Sequence, residues 1–140
     1  MRDIPENIPK WILKAEHDLV AARQILLLET APTDTVCYHA QQTVEKILKA
    51  LLIQKGVEFS KTHNLLILLE LLQEADLENY RAVCELLTSY AIESRYPGDY
   101  VEPEREEAEE AVRIANEIFE LVKKKLRSLR GQSTMETGYA

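Results

Sequence analysis

Apolar residues recur at steps of three and four through almost the whole chain, a period that fits helices each burying one face. Trp11, Ile12, Ala15, Leu19, Ala22, Ile25 and Leu26 form the first stripe. Cys37, Ala40, Val44, Ile47, Leu48, Leu51 and Leu52 form the second. Leu65, Leu66, Leu68, Leu69 and Leu72 make a short third, and Tyr80, Val83, Cys84, Leu87, Tyr90 and Ala91 a fourth. The last runs from Ala108 through Ala111, Val112, Ala115, Ile118, Phe119, Val122 and Leu126 to Leu129.

Punctuation between the stripes sets the expected boundaries. Helix 1 starts near Pro9 with Asn7 as its cap, since Pro suits the first helical position. It runs to about Glu29, and Pro32 breaks it. Thr33 or Asp34 caps helix 2, which ends at Lys55 with Gly56 as the C-terminal glycine. Thr62-His63-Asn64 caps helix 3. Asp76 opens helix 4, which runs to about Ser94; helices 3 and 4 also read as one kinked helix. Tyr96-Pro97-Gly98-Asp99 is a type II turn. Pro103 opens helix 5, whose glutamates at the start and lysines and arginines at the end suit the helix dipole. Gly131 closes it, and residues 132–140 form a fraying tail.

With only 4 Gly and 5 Pro there are too few turn formers for an all-β sandwich. The fold expected is all-α, an up-down antiparallel bundle of four to five helices. The 140 residues are 46% hydrophobic and 29% charged, which suits one domain over residues 1–131 with a core that needs no disulfide staples. A net charge of −7 argues against a broad basic footprint for duplex nucleic acid and leaves a local basic patch open. Two cysteines, Cys37 and Cys84, suit a reduced, cytoplasmic chain. No apolar run approaches the ~20 residues that span a bilayer, and the start lacks the apolar stretch of a signal peptide.

If short links reverse direction at every turn, helices 1 to 5 run up, down, up, down, up. The end of helix 2, the start of helix 3, the end of helix 4 and the start of helix 5 then meet at one end. That gathers Lys55, Lys61, His63, Arg95, Tyr96, Asp99, Tyr100 and Trp11. An Arg, two loop tyrosines and a His could hold a phosphate and stack a base. The bland alternative stays open. Arg95 could pair with Glu93 or Glu102, the tyrosines could fill loop gaps, and His63 could be part of a cap. The glutamates opening helix 5 would repel a phosphate.

Other constellations are weaker. Cys37-Tyr38-His39 is a C-x-H triplet whose ends point about 200° apart on a helix, so it is no zinc site. His17 between Glu16 and Asp18 reads as solvated. There is no phosphate-binding glycine loop, dinucleotide fingerprint or zinc-protease motif, so neither a cofactor nor a metal is expected. Gln41, beside Val44 and Leu48, reads as partly buried and in need of a hydrogen-bond partner. Glu45, Lys46 and Lys49 read as a solvated face carrying an i,i+4 pair. Thr43, Ala50 and Ile53 widen the apolar face of helix 2, which either serves a second copy or makes that helix central.

The stretch Cys37 to Leu52 (CYHAQQTVEKILKALL) resembles the second helix of the HEPN family. Lys61-Thr62-His63-Asn64-Leu65, Ser94-Arg95-Tyr96-Pro97-Gly98-Asp99-Tyr100, the opening of helix 5 and Trp11 to Leu19 extend the resemblance in order, over about residues 8 to 125. The resemblance implies a helical up-down bundle, commonly a homodimer, often partnered by a small nucleotidyltransferase encoded next door. Some relatives are metal-independent ribonuclease toxins of toxin–antitoxin pairs. Their motif is an Arg followed, after four to six residues, by a His near the start of the last helix. The Arg stabilises phosphate and the His does acid–base chemistry on the RNA 2′-hydroxyl. Here Arg95 matches the Arg, but the residue after the four-residue spacer is Tyr100, and Val101 and Glu102 supply no His. In some relatives a partner transferase adds AMP to a Tyr two residues after the His, a position held here by Glu102. The expectation is a non-catalytic HEPN binding subunit, a homodimer that binds nucleotide or RNA or partners a small nucleotidyltransferase. Its ligand-binding residues would be Arg95, Tyr96, Asp99, Tyr100, His63 and Lys61. The alternatives are a ribonuclease toxin using Arg95 with Tyr100 or His63, and a purely structural assembly protein.

Overall fold

A computed structural model of the chain describes residues 4–93 and 101–138, with side chains for 7–91 and 101–129. Every described element is a helix: α1 (Ile4–Leu26), α2 (Thr33–Gln54), α3 (Leu65–Leu72), α4 (Ala75–Glu78), α5 (Arg81–Glu93) and α6 (Arg105–Gly138). The five apolar stripes supply the core, with Ala15, Leu19, Ile47, Leu48, Leu68, Leu87, Ile118 and Phe119 buried together.

The boundaries follow local chemistry. Gly56 at φ 72° ends α2, with Val57 N–H donating to Leu52 O at 2.9 Å and Gly56 N–H to Ile53 O at 3.0 Å. Those two bonds are the glycine-closed helix end that the Lys55-Gly56 pair predicts. Asn64 caps α3 by accepting from Leu66 N–H at 3.0 Å. At the start of α6, Glu107 Oε1 accepts from Glu104 N–H at 3.1 Å, the reciprocal half of a capping box.

Four boundaries differ from the sequence reading. α1 begins at Ile4 and takes Pro9 inside. Proline there removes the backbone bond that residue 9 would make to Pro5 O, in the second turn of the helix. Pro32 occupies the cap position of α2 without a side-chain cap, while the Thr33 hydroxyl donates to Pro103 O at 2.6 Å. The helix expected from Asp76 is split into α4 and α5, with Tyr80 N–H donating to Leu77 O at the junction. α6 passes through Gly131 to Gly138, because a helical glycine costs only about 1 kcal/mol against Ala and the residues after it include good helix formers.

The directions also differ from α3 onward: α3 and α6 run parallel to α2 and α5 runs antiparallel to it, the reverse of the expected alternation in the last three helices. Residues 57–64 carry the chain back along α2, so that His63 reaches Glu45. α3 then descends beside α2, bringing Leu72 O back to Lys55 Nζ at 3.4 Å. α3 is thus parallel to α2, not antiparallel. α5 and α6 are antiparallel: Tyr80 meets Glu117 and Tyr90 meets Glu107. The long helices α1, α2, α5 and α6 form the up-down bundle, with α2 central and packed on α1, α3, α5 and α6. That placement buries Thr43 and Ala50 inside the chain, so the breadth of α2's apolar face gives no support to a second copy.

Two ends result. Arg105 at the start of α6 donates to Leu26 O and Leu28 O, holding the exposed carbonyls at the end of α1. At the opposite end Glu74 binds both Lys55 and Lys125, and Asp76 also binds Lys125.

Candidate functional site

Position 45 of α2 carries a carboxylate inside the protein. Glu45 Oε1 accepts from His63 Nδ1 at 2.9 Å, Gln41 Nε2 at 3.2 Å and Gln42 Nε2 at 3.3 Å, and Oε2 accepts from Lys49 Nζ at 2.9 Å. Gln41 Nε2 also donates to His63 O at 2.9 Å, and Gln42 Nε2 donates to Gln41 Oε1 at 2.7 Å. Helical spacing explains the set. Residues 41, 42, 45 and 49 share one face of α2, and the loop before α3 lays His63 across it. Burial alone would raise the Glu45 pKa, but hydrogen bonds from Lys49 and His63, the Lys49 charge and the Gln41 bond together hold it below its ordinary value. The Glu45 side chain is 4% exposed and that of His63 54%.

Lys49 Nζ also lies 5.7 Å from the Trp11 ring centre and 5.8 Å from that of Phe59, within cation–π range of both. One turn away, Asp18 of α1 receives His39 Nδ1 at 2.8 Å and Lys46 Nζ at 2.6 Å. The polar seam between α1, α2 and the pre-α3 loop therefore alternates charge and is internally satisfied. A second feature is an apolar groove of about 240 Å³ between α5 and α6, floored by Val83, Leu86, Leu87 and Ala111 and rimmed by Glu106, Glu107 and Glu110. Behind it Cys37 is buried, and burial followed by the Glu107 charge pushes its thiol up to about 12 against the opposing Tyr90 hydrogen bond. No group of three or more metal-capable side chains occurs among the described residues, and none of their helices is long and apolar enough to cross a membrane.

The sequence reading grouped Lys55, Lys61, His63 and the segment 95–100 at one end. Arg95, Tyr96, Asp99 and Tyr100, with the turn expected at 96–99, lie outside the described residues. Of the rest, Lys55 is at the far end, against Glu74. His63 stands at mid-height on Glu45, and Leu65 N–H donates to Thr88 Oγ1 of α5 at 3.1 Å. Lys61 is exposed in the same loop. The regrouping follows from α3 running parallel to α2. Gln41 is fully buried and hydrogen-bonded, as its position beside Val44 and Leu48 predicts. The Glu45–Lys49 pair forms, but both partners are buried, which corrects the solvated face. The signal was the all-round apolar character of α2 from Thr43 to Ile53, which leaves no solvated side at positions 45 and 49.

An all-helical antiparallel bundle whose central helix carries a buried glutamine–carboxylate–lysine cluster defines the class, a small helical-bundle domain. The family model described as "HEPN domain" matches residues 8–125, and the chain belongs to the HEPN family. A protein of Methanocaldococcus jannaschii named "Putative toxin MJ1304" is 31% identical over 137 residues, covering 86% of this chain and 89% of that one. The crystal structure of TT1696 from Thermus thermophilus superposes with a TM-score of 0.70 at 28% identity, covering 85% of this chain and 98% of that one. ST0689, an archaeal HEPN homologue, gives a TM-score of 0.69 at 27% identity, covering 85% and 97%.

Proposed function

We propose that this HEPN chain is a non-catalytic binding subunit, a cytoplasmic homodimer that binds nucleotide or RNA or docks a small nucleotidyltransferase. The carrying observation is at position 100. Arg95 stands where the ribonuclease relatives have their Arg, and Tyr100 stands where they have their His. A phenol keeps its proton at neutral pH, its ordinary pKa being near 10, so the pair retains a phosphate-binding cation without an imidazole. Arg95 holds phosphate, and Tyr96 and Tyr100 stack on a base or a partner.

Titration of AMP and a short single-stranded oligoribonucleotide tests the reading. Arg95→Ala weakens binding about tenfold, the range for losing one hydrogen bond to a charged group, and leaves the melting temperature unchanged. Equal affinity in the variant removes Arg95 from the site.

The name of the M. jannaschii relative favours a second reading, a metal-independent ribonuclease toxin in which Arg95 acts with Tyr100 or His63. Growth arrest on expression, relieved by Arg95→Ala, supports it over the first.

A further inference from the structure

His63 is the solvent-facing member of an otherwise buried cluster. Gln41, Gln42, Glu45 and Lys49 are buried, whereas the imidazole is 54% exposed. Its Nδ1 faces the Glu45 carboxylate at 2.9 Å. An ionised carboxylate only accepts, so Nδ1 carries the proton and Nε2, across the ring, is the free position. Helix capping does not use the ring, because Asn64 caps α3. The backbone is fixed as well, since the His63 carbonyl accepts from buried Gln41. Both ends of the residue are therefore held, leaving one ring nitrogen presented outward.

Charge accounting selects the ligand chemistry. Lys49 already cancels Glu45. The cluster is neutral with a neutral imidazole and carries +1 when Nε2 is protonated, so an anionic oxygen can be held without meeting an uncompensated carboxylate. Exposed Glu58 and exposed Lys61 precede His63 in the same loop and carry opposite charges, which leaves short-range hydrogen bonding at Nε2 as the selective contact. Trp11 and Phe59, both half-buried, add aromatic surface around Lys49.

We propose that Glu45 is a positioning residue that holds His63 Nδ1–H inward, so that the ring takes up a proton at Nε2 as the anion binds and donates Nε2–H to a phosphate oxygen of a nucleotide or of single-stranded RNA. The assignment rests on the binding reading above and puts a phosphate contact on α2 and the pre-α3 loop.

The test uses the full chain with ¹⁵N-labelled histidine, titrated separately with AMP and with a short oligoribonucleotide. Before addition, His63 shows the Nδ1–H tautomer. On addition its Nε2 resonance shifts while that of exposed His17 does not; a response to AMP identifies a nucleotide ligand, and a response to the oligomer alone identifies RNA. His63→Gln weakens binding about tenfold while the chain stays folded, as its circular dichroism spectrum shows. Glu45→Gln removes the carboxylate that accepts from Nδ1–H and balances the imidazolium, so the probe no longer protonates Nε2 and binding weakens with it, a spectroscopic change that lost stability alone does not produce. Binding that survives His63→Gln and is lost in Arg95→Ala overturns this assignment and leaves the binding reading standing. No binding of either probe to the unaltered chain overturns both.

Discussion

Lys49 Nζ sits 2.9 Å from Glu45 Oε2, one helical turn earlier on α2, with both side chains buried in the bundle. A surface pair of this spacing contributes a few tenths of a kcal/mol, but a buried one behaves differently, because removing one partner strands the other charge away from water. Glu45→Ala is therefore expected to destabilise the fold by about 3–5 kcal/mol in urea unfolding. The double variant Glu45→Leu with Lys49→Met, which removes both charges, loses less than the single. A single-variant cost below about 1 kcal/mol would mean that the pair is solvated.

The same carboxylate sets an acid limb. Its hydrogen bonds and the Lys49 charge hold the folded-state pKa below the ordinary 4.5. A depressed folded value contributes stability that is fully present above the unfolded pKa and is lost as pH falls through the folded one. Stability should decline below about pH 4.5, and Glu45→Gln should flatten that decline while lowering the plateau at neutral pH. Chemical denaturation from about pH 3 to 7 reads both; parallel curves would remove Glu45 from the acid response.

The two thiols should be silent in the native state. Burial first of all pushes both Cys37 and Cys84 up to about 12, so the reactive thiolate is scarce at about pH 8. An aromatic disulfide reagent is expected to label neither cysteine in the folded chain and both in denaturant. Rapid native labelling of Cys37 would show that the α2–α5–α6 core opens.

Much of this fold was legible in the sequence, because helical periodicity survives when each helix has one core face. The stripes of α1, α2, α3, α5 and α6 are the core observed, and Gly56 stops α2 where it was expected. Direction was harder. Nothing in residues 57–64 signals that the loop doubles back along α2, so strict alternation puts α3 antiparallel to α2 and Lys55 beside His63. The buried cluster escaped because an i,i+4 Glu–Lys pair has the same spelling on a wet face and inside a core. Only the apolar residues around it, Thr43, Ala50 and Ile53, tell the two apart. His63 was singled out for its chemistry, whereas its partner Glu45 comes from the fold.

Gly56 offers a clean test of the α2 terminus. A Cβ added there meets nothing within 4 Å, so the only cost of Gly56→Ala is its left-handed backbone at φ 72°. A loss of about 1–2 kcal/mol is expected, with Gly56→Asn losing less, since asparagine tolerates that conformation. Thermal melts of the two variants decide it; an unchanged Ala variant would mean that the turn relaxes to a right-handed end.

The central claim is a HEPN bundle that binds without cutting. Incubating the purified chain with single-stranded RNA in the presence of a chelator, beside Arg95→Ala, tests it most directly. The account predicts intact RNA with both proteins, together with oligonucleotide binding that the variant weakens. Metal-independent cleavage by the unaltered chain, abolished by Arg95→Ala, would contradict it and place the chain among the ribonucleases.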